Sequence, residues 1–393
     1  MTTNLENSQT NVLKSVFDKS TVIRLLTVWS VILVAFTIGK ELLNTFHSLT
    51  QAILVFSVLF ATILVAAFGV VKQADKLAHQ LGEPYGTLIL TLSIVSIEVI
   101  LIAAVLLGPG EFPTIGKDSI FSVMMIIMNL ITGLCILLGA LKYGEQEYNS
   151  PGTITYLSMI VLLGGISLVL PNYIIGSGNA VFSNTQSIFL SILITFIYVA
   201  FLFFQMKKYK YMYTQPSSGL LENRYKIESP ISTTTETSNI VNRTELWIRT
   251  LVLILMILPI VLLSHNMAAV VDYGVRTFNL PPLLGGIIIA IIVFTPESIT
   301  AIKAALNNEF QRAINLCHGA FVSTVGLTIP AVLTISLITG KTSFLALTST
   351  ELFLFITTIV LNILHFTGKR TTPILGLMHI VLFIVFILLI FNP

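Results

Sequence analysis

The sequence predicts an all-α polytopic membrane protein with about 11 transmembrane helices: two inverted five-helix repeats behind one extra N-terminal helix. Three observations carry this reading: composition, the length of the apolar runs, and the distribution of basic residues. Of 393 residues, 55% are hydrophobic and 10% charged, against about 25% charged in a soluble domain. With a mean hydropathy of +0.92, the chain has too little polar surface to cover a globule in water. That excludes a soluble enzyme, a disordered chain and a disulfide-stapled module. The apolar runs are far longer than the roughly 10 alternating residues of a barrel strand, which excludes a β-barrel. A net charge of +3 is too small to suggest nucleic acid. Cys135 and Cys317 fall in apolar segments without metal spacing and read as packing residues.

A membrane helix needs about 20 apolar residues. The runs that qualify are roughly 21–39, 50–72, 84–107, 118–141, 152–170, 186–206, 247–271, 281–302, 312–339, 347–366 and 373–391. The second and seventh extend as amphipathic ends through Ala78 and Val275. The first follows a polar tail of residues 1–20 and precedes no small-residue cleavage site, so it reads as a span over 21–39 and not as a leader. The stretch 207–246, rich in Ser, Thr, Asn and charge, reads as a linker between repeats at 48–206 and 247–391.

Lys and Arg set the orientation. If the linker is cytoplasmic, the N-terminus and every other even-numbered connection share that side, which then holds 17 of the 21 basic residues. Lys40, Lys117, Arg276 and Lys341 fall on the other. An extra or missing span would scramble this asymmetry. The N-terminus is expected inside and the C-terminus outside.

Five spans precede the linker and five follow it, after the first is set aside. Because five is odd, the halves enter the membrane with opposite orientation, the inverted-repeat logic of secondary transporters. Gly86 opens the third span and Glu98 follows twelve residues on; Gly285 opens the eighth and Glu297 follows twelve residues on. Between them, LILTLSIVSIE aligns without gaps to IIIAIIVFTPE.

Of the eighteen acids, sixteen fall in tails, loops or helix ends on this map; Glu98 and Glu297 do not. They lie about 21 and 24 Å along their helices from Pro84 and Pro281, at 1.5 Å per residue. The two helices enter from opposite sides, so the carboxylates can meet at one depth. A lone membrane carboxylate is costly and commonly survives as a buried, hydrogen-bonded acid. Two at matching places in inverted repeats read instead as a cation site. Pro296 lacks an N–H, so it is expected to break the eighth helix and free the carbonyl of Ile292. Ser93, Ser96 and Thr295 add hydroxyls nearby; Asn129, Ser323 and Thr324 are the polar groups at comparable places in the fourth and ninth spans. Hydroxyls in membrane helices often only bond back to their own helix. Two carboxylates with neutral oxygens, and no thiolate or imidazole cluster, suit a hard cation such as Ca²⁺; Na⁺ needs less charge and Zn²⁺ favours His or Cys.

At these residues the sequence resembles a known family. The run from His79 through Gly82-Glu83-Pro84-Tyr85-Gly86-Thr87 to Glu98 is similar to the first α-repeat of bacterial calcium/proton antiporters, within the cation/calcium exchanger superfamily. Thr295-Pro296-Glu297-Ser298 through Gly326-Leu327-Thr328-Ile329-Pro330 is similar to the second. The resemblance implies ten core helices plus one, and ion exchange by alternating access at Glu98 and Glu297. Many superfamily members carry Gly-Asn-Ala-x-Glu at both sites; here Val95-Ser96-Ile97-Glu98 and Phe294-Thr295-Pro296-Glu297 lack the asparagines. The proton-coupled bacterial branch looks similar in this respect.

The expected function is a proton-coupled cation antiporter, not an enzyme and without a cofactor. It would export Ca²⁺ in exchange for H⁺ across the plasma membrane. A Na⁺(K⁺)/H⁺ antiporter or a sodium-driven calcium exchanger of the same fold is the alternative. Its partners are inorganic cations, protons and the lipid bilayer. Glu83, at the mouth of the third span, is an accessory residue or simply a carboxylate favoured by the helix dipole. His318 is a proton carrier or a neutral core histidine. His265 and His379 read as packing or boundary residues.

Overall fold

The computed structural model describes residues 14–37, 48–81, 85–107, 112–174, 181–216, 243–368 and 370–392. They form eleven long helices: α1 (Lys19–Thr37), α2 (Leu49–Leu81), α3 (Tyr85–Leu107), α4 (Ile115–Tyr143), α5 (Ser150–Tyr173), α6 (Asn184–Met206), α7 (Arg243–Thr277), α8 (Leu283–Leu306), α9 (Phe310–Thr339), α10 (Ser349–Phe366) and α11 (Pro373–Phe391). Ten are long and apolar enough to cross a membrane, and α3 adds an apolar stretch over Thr91–Leu107. This is the expected all-helical membrane fold. The long amphipathic ends also form: α2 has 33 residues and α7 has 35, about 50 Å each by the rise per residue.

Contacts between loops place the helix ends on two faces. On one, which carries the linker, Gln146 after α4 donates to the Ala305 carbonyl of α8, Thr371 before α11 donates to Gln146, and Arg312 of α9 pairs with Asp75 of α2. On the far face, Phe344 donates to Pro113, Leu347 to Leu168, and Lys341 Nζ to Leu106. Successive helices therefore run in opposite directions.

The helix packing shows the internal symmetry. Pairing α2–α6 with α7–α11 in order, α3 packs on α9 as α8 packs on α4, and α6 packs on α9 as α11 packs on α4. Likewise α5 meets α9 as α10 meets α4, while α2 meets its own mate α7. Small residues permit the closest approaches. A Cβ on Gly286 of α8 would lie 2.5 Å from the Asp118 backbone of α4. A Cβ on Gly133 of α4 would lie 2.8 Å from the Gly376 carbonyl of α11.

Helix α1 stands outside the repeat and docks on α2 and α7. Arg24 donates to the Phe68 carbonyl and Trp29 Nε1 to that of Leu255. Asp18 pairs with Lys72. Burial alone would raise the Asp18 carboxyl, but hydrogen bonds from Lys72 and Thr21 outweigh it and hold that carboxyl far below the usual range.

One expectation about local structure needs correction. Helix α8 runs unbroken through Pro296; the proline removes the donor for the Ile292 carbonyl, but α8 is buried along most of its length and its neighbours hold it helical. Irregular turns sit elsewhere: Met125–Ile131 of α4 is π-helical around Asn129, and Gly165–Val169 of α5 is π-helical too. At the start of the linker Tyr213 is buried, edge-on to Tyr156 and Phe201, and α7 begins at Arg243. Burial pushes the Tyr213 phenol up to about 12.

Candidate functional site

Glu98 and Glu297 are both fully buried, at 0% and 1% exposure. They stand on α3 and α8, the repeat-related helices, near enough to interact electrostatically, and Cys317 of α9 also acts on Glu297. The first of two contrasts between them is in hydrogen bonding. Thr324 of α9 donates to Glu98 Oε2 at 2.7 Å, which leaves Oε1 without a donor. Neither oxygen of Glu297 meets a donor among the described residues. Three of the four carboxylate oxygens are therefore buried without a hydrogen-bond donor among the described residues. A buried anionic group is tolerated only with a counter-charge or a proton, and the pair has room in its bonding for either.

The supporting set is smaller than the sequence suggested. Ser93 bonds the Ile89 carbonyl, Ser96 that of Leu92 and Thr295 that of Ile291, each one turn back on its own helix. Ser323 donates to Gly319 and accepts from Tyr198. Asn129 is buried, and its amide donates to Thr358 Oγ1 at 2.9 Å while its carbonyl faces His379 at 3.2 Å. Of the expected neutral groups, Thr324 is the one hydrogen-bonded to a glutamate. Ile292 is buried on α8, five residues before Glu297. His318 is buried with its ring edge-on to Phe366 at 5.0 Å. Glu83 lies outside the described residues.

Two cavities are lined by repeat-related helices. The linker-face cavity lies among α3, α5, α6 and α9 and is lined by Thr91, Tyr156, Tyr198, Gln205, Asn315 and Ser323. The far-face cavity lies among α8, α10, α11 and α4 and is lined by Phe121, Leu283, Thr348, Glu351, Leu354 and Phe386. In the wall of the first, Tyr198 donates to Ser323 at 2.9 Å. The second has an aromatic floor, Phe121 edge-on to Phe386 at 5.7 Å.

At the lip of the far-face cavity is a cluster that sequence reasoning missed. Lys117 Nζ bonds both oxygens of Glu351, at 2.9 and 2.8 Å, and lies 3.2 Å from Asp118. All three residues are buried. Asp118 and Glu351 were counted as helix-end acids and Lys117 as a loop base. A second missed signal is that Asn-Leu-x-x-Gly recurs in both repeats, at Asn129 to Gly133 and Asn315 to Gly319.

A family model for sodium/calcium exchanger proteins matches residues 51–207 and 248–392, the two repeats on either side of the linker. The chain belongs to the sodium/calcium exchanger protein family. It is therefore a multi-pass membrane transporter, a cation exchanger. It is 31% identical over 329 residues to the sodium-potassium/proton antiporter ChaA of Escherichia coli (strain K12), covering 84% of this chain and 86% of that one. It is 25% identical over 239 residues to the Ca(2+)/H(+) antiporter ChaA of Bacillus subtilis (strain 168), covering 60% and 63%. Its fold matches the solved structure of native YfkE with a TM-score of 0.70 at 21% identity, over 94% of this chain and 100% of that one.

Proposed function

We propose that this exchanger is a proton-coupled cation antiporter that works by alternating access at Glu98 and Glu297. The observation that carries the reading is the pair itself: two buried carboxylates from repeat-related helices with three oxygens unpaired. The pair binds a cation or protons and not both well. A loaded or protonated site is electrically tolerable in the bilayer, and an empty dianion is not. Competition for one site thereby enforces exchange. Access alternates between the linker-face and far-face cavities, one opening as the other closes.

The favoured cargo is Ca²⁺, because two formal charges match a divalent ion. A second reading, Na⁺ or K⁺, is favoured by a specific observation: only Thr324 adds a neutral side-chain oxygen at the pair, whereas Ca²⁺ takes about six to eight oxygens. The similarity to the E. coli sodium-potassium/proton antiporter points the same way. The linker face is assigned to the cytoplasm of a plasma-membrane protein by its excess of Lys and Arg. The direction, cation out and protons in, follows from the usual inward proton gradient.

The deciding experiment is uptake of radiolabelled Ca²⁺, Na⁺ and a K⁺ analogue into everted vesicles, with and without a proton gradient. Gradient-dependent uptake of at least one is expected; none would end the antiporter reading, and sodium-driven Ca²⁺ uptake without a pH gradient would replace it. Cysteine labelling at Ser218 and Asn392 tests the orientation. Modification of both from one side would contradict it.

A further inference from the structure

Two histidines with no part in the exchange cycle above are bonded to each other inside the bundle. His365 lies in the last turn of α10, at the linker face, and His379 lies two turns into α11. His365 Nδ1 and His379 Nε2 are 3.0 Å apart, with the rings edge-on. His379 Nδ1 is 3.2 Å from Asn129 Oδ1 on α4.

The positions of the protons follow from one sulfur atom. Asn129 Nδ2 faces the Met125 sulfur at 3.6 Å and Thr358 Oγ1 at 2.9 Å. A thioether only accepts, so the amide nitrogen must be on that side and the amide oxygen toward His379. His379 therefore carries its proton on Nδ1 and presents a lone pair at Nε2. His365 must then donate from Nδ1. In the neutral pair, His365 Nε2 is the remaining base, and His365 is the more exposed of the two, at 8% against 0%.

We propose that His365 and His379 form a second proton-binding site, separate from the two glutamates, that takes one proton from the linker face and holds it between two imidazoles. A proton arriving at His365 Nε2 lets the Nδ1 proton cross the 3.0 Å bond to His379 Nε2. The total charge of the pair becomes +1 whichever ring carries it. A second proton would put two adjacent cations in a dry space, so the pair titrates as one unit.

Among the described residues no carboxylate is bonded to either ring. From α4 the pair meets Asn129, which in turn bonds Thr358 of α10, and from the α4–α5 connection the Tyr148 hydroxyl donates to the His365 carbonyl. From α9 the ionisable group that acts on His379 is His318. The carboxylates at that mouth, Glu145 and Glu147, are taken by Arg370. An unpaired positive charge in the low-dielectric bundle works against occupation of the glutamates by a cation. Acid on the linker face therefore slows exchange beyond simple competition at the glutamates.

The test uses the full-length protein in proteoliposomes, with His365→Gln, His379→Gln and the double variant. Cation-for-proton exchange and cation self-exchange are followed as linker-face pH is lowered. In each single variant the pH of half-activity should move down by about 0.5 unit or more. The double variant should move no further, and rates at alkaline pH should stay near wild type. Unchanged pH profiles in both singles would overturn the proposal, as would a double shift equal to the sum of the two. Nitrogen-15 spectra of histidine-labelled wild type give an answer that does not depend on variants folding. A shared-proton signal appearing in one step is expected; two independent titrations, or none, would refute it. Glu98→Gln abolishes transport at every pH if the glutamates are the site, so failure there is distinguishable from failure here.

Discussion

The two cavities are framed by repeat-related helices but closed by different chemistry. On the linker face, α5 and α9 meet through amides: the Asn149 backbone donates to Gln311, Gln311 donates to Asn315, and Asn315 donates to the Tyr213 carbonyl. At the equivalent joint on the far face, α10 and α4 meet through the buried ions Lys117, Asp118 and Glu351. Neutral amides can exchange partners with water at a net cost of about 1 kcal/mol per bond. Separated ions in a dry joint cost several kcal/mol each unless water or a counter-ion reaches them. The inverted repeat thus places the two joints at equivalent positions, while the side chains make their chemistry differ.

The glutamates differ in the same sense, since Glu98 is held by Thr324 and Glu297 by no donor. The largest effect is expected here. Glu98→Gln and Glu297→Gln should each reduce proton-driven cation uptake at least about 100-fold, the scale of an uncompensated buried charge. The double variant should be no worse, because both residues serve one site. Near wild-type uptake by either single, with normal membrane expression, would remove the common site.

Next comes the contrast between the joints. Lys117→Met strands two carboxylates and should cost about 3–5 kcal/mol, seen as a lower melting temperature in detergent. Gln311→Leu at the linker-face joint should cost only about 1–3 kcal/mol. Equal losses would mean that the difference between the faces is not electrostatic.

Thr324→Val removes the hydroxyl that orients Glu98. Loss of a bond to a carboxylate, about 1.5 kcal/mol or somewhat more, should raise apparent KM roughly tenfold with kcat little changed. An unchanged KM would mean that Glu98 needs no orientation. The smallest effect is assigned to Tyr198→Phe, which frees Ser323 on the linker face and should alter the uptake rate about two- to threefold. A larger effect would make that hydroxyl pair a main gate and not part of a cavity wall.

Much of this was legible in the sequence, for physical reasons. The spans were readable because bilayer thickness demands a fixed run of apolar residues, and Glu98 and Glu297 because no other acids fall so deep in a span. The supporting hydroxyls were not, because a Ser or Thr in a dry helix can always satisfy itself on the carbonyl one turn back, as Ser93, Ser96 and Thr295 do. Pro296 suggested a break because it removes one bond, but packing around α8 keeps the helix continuous. The Lys117 cluster was hidden because its members begin helices and so look like loop residues; burial comes from α10 closing over α4, which periodicity does not report. His379 looked like packing because its partners His365 and Asn129 lie on other helices.

The backbone contact between Gly133 and Gly376 has a mechanical consequence. With no side chain between them, α4 and α11 have no cushion to slide on, and they form one lever. Most of α4 is hidden inside the bundle, whereas α11 presents residues such as Ile384, 59% exposed, to its surroundings. A spectroscopic reporter attached at Ile384 would therefore register the motion of a helix whose middle is buried.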